Sequence, residues 1–501
     1  MKPRRSHSWA RRFFVTTLRF LVVVTLGAMA GGGWYLAKKG FGRKWRGLIV
    51  EELHKHGVEA SVRRLTLDPF RGLVAQDVRI FDYKNRENTI AQISRISLDV
   101  NYAALLQHQP FLNAIDIRNA QVSLPLPEGA DPNAPHAEIR SLHAHIYFPP
   151  EQIYLSQADG IFCGIRISAT GQLIKRNEYQ QSKETTEEEW LRRLSILQRV
   201  VSELKQFKFS ERPHLQIKFN GDIADLENAR VEGSLQSGPF QRGNYQARKL
   251  NLAGEFVDQT LSIRQCELQD DLGAFSANAT WRRPMNQIQF RARSSLNLRP
   301  LLESVGLGSI ISDINFLAPP RFEISGTARF GQGQPRWQAI GHAALDRFTF
   351  KRILFLGANA EFSWDGERTM VRDIHVRHES GELAGRLLNA PNDFRIDLSS
   401  TIDPNALRTL APADMRDFVN DWDWPHAANV QLVIRGSSAA PATWKGDGTL
   451  KMERGRFRTV GFNSASTNVH FGDGAVAYEN FRVIRDEGVV TGNFIYDFAH
   501  H

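Results

Sequence analysis

The stretch CGIRISATG, residues 163–171, places a glycine directly before a strand-like run of small and apolar residues. Three later stretches follow the same plan: LGAFSANA at 272–279, SGELAG at 380–385 and EGVVTGNF at 487–494. The glycines of the four stretches lie 109, 108 and 107 residues apart: Gly164, Gly273, Gly381 and Gly488. A period of this length that carries mostly strand patterns indicates one multi-stranded unit copied end to end.

This period predicts the fold class. We expect a mainly β protein, built as an elongated stack of antiparallel β-groove repeats with short capping helices, after one N-terminal transmembrane helix. Each recurring glycine is expected to supply a turn, a bulge or a positive φ, which other residues tolerate poorly.

Prolines mark a second interval, at the start of alternating strand patterns: Pro213, Pro320 and Pro425. They divide the chain into predicted units: an N-terminal β-groove unit at 58–212 with a closing helix at 186–207, β repeats at 213–319 and 320–424, and a final, shortened repeat at 425–501. Short helices are expected near Arg299 to Leu307 and after Asp403, a predicted N-cap followed by Pro404. Hairpin turns are predicted at Gly446-Asp-Gly448 and Gly472-Asp-Gly474.

The positive charge of the chain is concentrated at its amino terminus. The net charge is +9, yet eleven basic and no acidic residues precede Glu51, which leaves the rest of the chain nearly neutral at −2. This distribution argues against a nucleic-acid partner and favours anionic lipid headgroups. We predict a basic cytoplasmic tail at 1–12, a transmembrane anchor at 13–37 and a membrane-proximal helix at 41–57.

The predicted anchor has a charge-free core that ends in an interfacial aromatic pair, as expected for a spanning helix. Its residues are Phe20, Leu21, Val22, Val23, Val24, Leu26, Trp34 and Tyr35. Ala28-Met29-Ala30 also fits a signal-peptide cleavage site, so a cleaved leader is the competing interpretation. A retained anchor with its amino terminus inside would place the protein in an inner membrane as a single-pass protein, with most of the chain in the periplasm.

Apolar and polar residues alternate along the predicted repeat strands, which gives each strand one dry and one wet face. The dry positions are candidates for a lipid-binding groove: Leu215, Ile217, Phe219, Phe322, Ile324, Ala328, Phe330, Phe394, Ile396 and Leu398. Such faces must be covered by a second sheet, by barrel closure or by an apolar ligand in a curved sheet. Lipid acyl chains are one such ligand.

The sequence contains no motif for catalysis, a cofactor or a metal in a fitting context, so we expect no enzymatic activity, no cofactor and no metal site. Trp422 and Trp424 alternate with Asp421 and Asp423. This segment is interpreted as the end of an amphipathic cap, with a carbohydrate-facing aromatic patch as the alternative.

The opening strands carry a family resemblance. After the membrane-proximal helix come VRRLTLDP at 62–69, RGLVAQDVRI at 71–80, AQISRISLDV at 91–100 and IDIRNAQVSL at 115–124. In this order of parts the chain resembles the AsmA-like superfamily of Gram-negative envelope proteins, which includes AsmA and the TamB-type proteins. The resemblance is clearest over residues 1–125 and continues as general architecture through the repeats.

The resemblance implies a protein anchored in the inner membrane whose repeating β-groove conducts phospholipid across the periplasm toward the outer membrane, with an outer-membrane or periplasmic protein partner. It brings no catalytic residues. Two alternatives remain open: a non-enzymatic envelope scaffold or assembly factor that binds protein partners, and a carbohydrate-binding solenoid with Trp422 and Trp424 in its site.

Overall fold

A computed structural model describes residues 41–43, 46–47, 50–51, 60–68, 72–81, 89–101, 112–123, 138–149, 152–174, 198–222, 225–331, 336–410, 420–424, 427–472 and 474–497. The fold is mainly β, with long antiparallel pairing and few short helices, which confirms this part of the predicted class. The chain divides into two compact units, Met1–Phe207 with Arg212–Ser234, and Lys208–Glu211 with Leu235–His501.

The strands of the described residues are, in chain order, β1 (Ala60–Asp68), β2 (Gly72–Phe81), β3 (Thr89–Val100), β4 (Leu112–Ser123), β5 (Glu138–Tyr147), β6 (Gln152–Phe162), β7 (Ile165–Ile174), β8 (Phe207–Phe209), β9 (His214–Asp222), β10 (Asp225–Ser237), β11 (Phe240–Arg242), β12 (Tyr245–Ala247), β13 (Lys249–Val257), β14 (Thr260–Gln269), β15 (Ala274–Arg282), β16 (Gln287–Ser294), β17 (Ile314–Phe316), β18 (Arg321–Arg329), β19 (Arg336–Leu345), β20 (Phe348–Phe350), β21 (Ile353–Phe355), β22 (Gly357–Trp364), β23 (Thr369–His378), β24 (Gly381–Ala390), β25 (Asp393–Ser400), β26 (Trp422–Asp423), β27 (Asn429–Ser437), β28 (Ala440–Phe457), β29 (Val460–Gly472), β30 (Ala475–Arg485) and β31 (Gly488–Asp497). Short helices are α1 (Leu298–Ser304) and α2 (Pro404–Leu407), with 3-10 turns at Arg283–Met285, Gly308–Ile311 and Arg408–Leu410.

In the first unit, β1 to β7 pair consecutively and antiparallel, as the opening strand patterns predict. β9 then pairs with β7 in parallel, and β10 pairs with β9. A parallel pair needs a crossover connection, and the helical residues 198–205 lie in the chain between β7 and β9. The predicted closing helix does not reach residue 207, because Phe207 begins β8, which joins β11 and β12 in a small sheet.

The core of the first unit lies on one face of its opening strands. Its buried residues are Val62, Leu65, Leu73, Ala75, Val78, Ile93, Leu98, Val100 and Ala120. Phe41 and Val50 pack against this cluster. Residues 43, 46, 47, 50 and 51, the described positions of the predicted membrane-proximal helix beyond Phe41 and Gly42, are helical.

The second unit contains one long antiparallel run of strands in the order β13, β14, β15, β16, β18, β19, β22, β23, β24, β25, β27, β28, β29, β30 and β31. Three short strands, β17, β20 and β21, form a separate small sheet. Together with Ile402 this sheet builds a local core, in which Phe348, Ile353, Phe355 and Ile402 are buried.

The recurring glycines occupy equivalent hairpins, where β6 meets β7, β14 meets β15, β23 meets β24 and β30 meets β31. Gly164 has a φ of +84° in its turn. A Cβ on Gly273 would lie 1.9 Å from the backbone oxygen of Ser295. A Cβ on Gly381 would lie 2.2 Å from that of Thr401. The period thus reflects a hairpin in which the backbone at the glycine turns sharply or is closely covered.

The strands that open the predicted repeats begin at His214, Arg321 and Asn429. The residues before the first two, Pro213 and Pro320, are fully buried. Before the third strand this place is taken by Ala428, which is 0% exposed. Pro425 lies outside the described residues, and the exact repeat boundaries stay a prediction.

One predicted hairpin turn is wrong and another is confirmed. Gly446-Asp-Gly448 lies inside β28 and pairs with both β27 and β29. The missing side chains leave room for the Phe471 ring at Gly446 and for the Gln431 backbone oxygen at Gly448. The described part of the second turn agrees with the prediction, because β29 ends at Gly472, which pairs with Ala475 of β30, and Gly474 has a φ of +81°.

The predicted helical cap after Asp403 is confirmed at its start. The Asp403 side chain accepts a hydrogen bond from the backbone N–H of Asn405, and Pro404 occupies the first turn of α2. Trp422, expected at the end of this cap, instead lies in β26 and pairs with Phe457 of β28.

The basic tail and the predicted anchor, residues 1–12 and 13–37 with all eight named anchor residues, lie outside the described residues. Among the residues that are described, no helix is both long and apolar enough to cross a membrane.

We predict that Gly381→Ala lowers the free energy of unfolding by about 1–3 kcal/mol, because its new methyl group would collide with a backbone oxygen. Gly492→Ala is the matched control, since a Cβ there meets nothing within 4 Å, and we expect a change within about 0.5 kcal/mol. Urea denaturation of the full chain checks both. Equal losses would contradict the close-approach explanation.

Candidate ligand-binding face

The antiparallel register of the second unit brings candidates from separate repeats onto one face of one sheet. Ile324 of β18 and Ile396 of β25 belong to the same row of directly opposed residues, although they are distant in sequence. The row is Leu252, Cys266, Ala277, Ala292, Ile324, Gly341, Phe362, Val371, Leu387, Ile396, Ile434, Gly446, Phe471, Val476 and Tyr496. Directly opposed residues project to the same side of a sheet.

Four further rows on this side contain the remaining candidates of the second unit's strands. They run through Leu250, Leu268, Phe275, Ser294, Phe322 and Ala343; Phe256, Leu261, Trp281, Ile288, Ala328 and Trp337; Gly254, Ile263, Ala279, Phe290, Gly326, Ala339, Trp364, Thr369, Asn389, Phe394 and Gly436; and Gly385, Leu398, Leu432, Gly448, Val469, Tyr478 and Phe494. We call these five rows the apolar face. Within them, all among the described residues, there is no Asp, Glu, Lys or Arg.

Most of the predicted groove residues on the apolar face have side chains that are partly exposed to solvent. Phe322, Ile324, Ile396 and Leu398 are partly buried. Ala328 and Phe394 are the buried members, at 0% and 8% exposure. Phe394 is covered because its ring stacks on Trp444, with the ring centroids 4.3 Å apart.

Two groups of predicted groove residues stand apart from these rows. Phe330 directly follows β18, and its ring meets Trp337 edge to face at a centroid distance of 6.1 Å. Leu215, Ile217 and Phe219 lie on β9 of the first unit and are partly buried opposite the β7 positions Ile167, Ala169 and Gly171.

Aromatic rings occupy the space beside glycines on the apolar face. A Cβ built on Gly326 would come within 2.9 Å of the Phe290 ring, and one on Gly341 within 2.5 Å of the Phe362 ring. At Gly446 the Phe471 ring would be only 1.9 Å away. These rings take up the space that a side chain at each glycine would need. Sequence reasoning missed this arrangement, although the glycines fall in phase with the apolar positions.

The opposite side of the same sheet is polar. Arg293 and Glu323 form an ion pair at 2.8 Å. Asp397 pairs with Arg386 and, at 2.9 Å, with Arg395. Partial burial works against the charge of Asp397, but hydrogen bonds from Arg395 and Arg386 outweigh it and hold its pKa below the usual range. The sheet therefore has one solvated and one apolar side, as the alternation predicts.

Where the apolar face reaches its last described strands, it deepens into a pocket of about 430 Å³. Its walls are mainly aromatic and aliphatic: Trp422, Trp424, Leu450, Met452, Phe457, Val460, Phe462, Ala465, Ser466, Thr467, Tyr478, Phe481, Val483, Arg485, Val490 and Phe494. We call this the terminal pocket. Burial, with a smaller contribution from the nearby Tyr496, raises the pKa of Tyr478 to about 12, so its phenol stays neutral at physiological pH.

Trp422 and Trp424, singled out by the sequence, thus line an apolar pocket. The Trp422 ring lies 4.7 Å from that of Phe457, measured between centroids. The other wall residues escaped sequence reasoning because they come from β28 to β31 and meet only through strand pairing. Among all of the lining residues, Arg485 alone carries a charge.

We predict that Phe394→Ala lowers the free energy of unfolding by about 3–5 kcal/mol, because it removes a buried, stacked ring. Leu398→Ala, two residues along the same strand, should cost only about 1 kcal/mol if its side chain faces an open groove. Denaturant unfolding of the two variants measures this difference. A Leu398→Ala cost in the range of about 2–5 kcal/mol, typical of buried leucines, would indicate a closed core.

In the part of the chain that the structure describes, no cluster of three or more His, Cys, Asp or Glu residues could hold a metal ion. No protein-family model, curated protein or solved structure matches this chain. Its function therefore has to be inferred from the chemistry of the apolar face and the terminal pocket.

Proposed function

We propose that the apolar face binds the hydrocarbon chains of phospholipid and that the protein contributes in this way to lipid transport and envelope biogenesis. The observation that carries the proposal is a charge-free, partly exposed face continuous across the sheet of the second unit. Large exposed apolar surfaces mark sites of interaction with protein, membrane or ligand. A hydrocarbon chain laid on such a surface gains about 25 cal/mol for each Å² of apolar area removed from water.

The partial exposure of the face supports a ligand more than a self-packed core. In a sheet covered by a second layer, the central positions of a row are expected to be fully buried. Ile324 and Ile396 occupy such central positions and are only partly buried. At Gly341 and Gly446 the face presents an aromatic ring and no polar side chain, which suits flexible chains that need apolar area and no specific polar partner.

The cellular location and the partners of the protein are proposed from the sequence pattern. The basic tail, the charge-free segment and the opening strands favour an AsmA-like protein held in the inner membrane by one span, with its β units in the periplasm. Membrane phospholipids would be its ligand, and an outer-membrane or periplasmic protein would complete the route to the outer membrane. No enzymatic step and no nucleic acid are part of this proposal.

A scaffold that binds proteins is the second candidate, and one observation favours it. Strand β31 exposes large apolar side chains: Val489 is 54%, Val490 55%, Phe494 50% and Ile495 68% exposed. An exposed apolar strand of this kind can pair with another chain. For a carbohydrate-binding solenoid the support is weaker, because Trp422 and Trp424 line a pocket whose other walls are mostly hydrocarbon.

We predict that Ile396→Asp lowers co-purifying phospholipid at least about tenfold while the far-UV circular dichroism stays unchanged. A carboxylate in the middle of the face must remain hydrated, which opposes contact with a hydrocarbon chain. The measurement is native mass spectrometry with lipid extraction on the full chain, purified without added lipid.

Ser399→Asp is the control for this experiment, because Ser399 is exposed on the polar side of the same strand. It should leave the amount of bound lipid unchanged. A folded wild-type protein that carries no more lipid than Ile396→Asp would favour the scaffold instead. If Ile396→Asp unfolds the chain, the face is a closed core.

A further inference from the structure

The terminal pocket contains one buried hydrogen-bond donor that no residue of the described chain satisfies, and one guanidinium that is held only by an exposed ion-pair partner within the described chain. Trp424 Nε1 is buried and makes no hydrogen bond there. Arg485, which also lines the pocket, is paired with Glu487: its Nη2 donates a 3.4 Å hydrogen bond to the carboxylate, and its buried Nε lies 3.3 Å from that group without hydrogen-bond geometry. A buried donor without an acceptor costs about 1–3 kcal/mol. A ligand that brings acceptor oxygens to this pocket would recover that free energy.

The rest of the lining excludes a fully polar ligand. Trp422, Met452, Phe462 and Phe481 present hydrocarbon and aromatic surface, and polar groups placed against such walls lose their hydration without compensation. The volume of about 430 Å³ lies within the roughly 300–1,000 Å³ typical of pockets for small ligands. The body of the ligand is therefore a hydrocarbon chain.

The positive charge of Arg485 favours a ligand with an anionic headgroup. Its side chain is 37% exposed, so part of it is in contact with solvent. Its partner Glu487 is 72% exposed, and ion pairs this open to water are weak. Arg485 is thus able to exchange this partner for a ligand anion, and a guanidinium suits the planar, two-oxygen geometry of carboxylate or phosphate.

We propose that the terminal pocket binds the hydrocarbon chain of an acidic amphiphile, whose anionic headgroup accepts hydrogen bonds from Arg485 and Trp424. This inference rests on the proposed function, because the pocket is the end of the same apolar face. It goes further because it assigns a negative charge to the headgroup bound beside Arg485. The five rows of the apolar face contain no charged side chain that could select a headgroup by its charge.

The test is photo-crosslinking of the full chain in nonionic detergent with a long-chain fatty acid that carries a diazirine in its chain. The matching fatty alcohol serves as the neutral probe, and peptide mass spectrometry locates the labelled residues. The acid should label Met452 and Phe462 about tenfold more efficiently than the alcohol, which corresponds to about 1.4 kcal/mol. Arg485→Gln should remove this preference and leave labelling by the alcohol unchanged, while Arg485→Lys should retain part of it.

Arg482→Gln is the matched control, because Arg482 is exposed on the opposite side of β30 and does not line the pocket. It should change neither probe. Trp424→Phe keeps the aromatic wall, removes one donor and should lower labelling by the acid about threefold, less than the loss in Arg485→Gln.

Three outcomes would overturn the inference in distinguishable ways. Equal labelling by acid and alcohol, unaffected by Arg485→Gln, would refute the headgroup contact and leave a hydrocarbon pocket. No labelling of the pocket by either probe, while the wild type still carries phospholipid, would refute the pocket and leave the apolar face as the binding site. No labelling together with no bound lipid would overturn the proposed function as well and favour a protein segment as the occupant.

Discussion

Cross-strand register is the constraint on which the rest of the second unit depends. Each strand is hydrogen-bonded to its neighbours, and side chains alternate between the two sides with a period of two residues. A slip of one residue would move a strand's whole apolar set to the polar side. The continuity of the row through Ile324 and Ile396 therefore requires every pairing between β18 and β25 to keep its register.

Repeated β-bulges maintain this alternation where the sequence interrupts it. Between Val371 and Ile374 two polar residues, Arg372 and Asp373, stand in succession, and the register shifts there by a bulge with Asp373 at a φ of +47°. The same shift occurs between Ile263 and Cys266 and between Tyr478 and Phe481. A bulge adds a residue to one strand and returns the next side chain to the intended side. Apolar positions before and after each interruption thus stay on one face.

Glycine has two different roles in this architecture, and both follow from its missing Cβ. At the hairpins, Gly273 and Gly381 let a backbone oxygen come close. On the apolar face, Gly341 and Gly446 make room for a ring from the adjacent strand. The close backbone approach recurs at the hairpin of successive repeats. The room for rings shapes the apolar face, which we propose binds lipid.

The amino-acid sequence by itself determined the local features of this protein: the period near 107 residues, the strands with one apolar side, the Asp403 cap and most of the groove candidates. The period is legible in the sequence without any contact, and the other features depend on residues close together in the chain. Tertiary structure alone decided which candidates share a row, that Gly446-Asp-Gly448 continues a strand, and that Trp422 joins a pocket with β28 to β31. A Gly-Asp-Gly sequence suits a tight turn, and it also suits a strand in which a glycine makes room for a ring of the adjacent strand. Only contacts with residues distant in sequence distinguish these two structures. The unsatisfied donor of Trp424 and the place of Arg485 in the same pocket likewise cannot be recognised from the sequence, because only strand pairing surrounds them with apolar side chains.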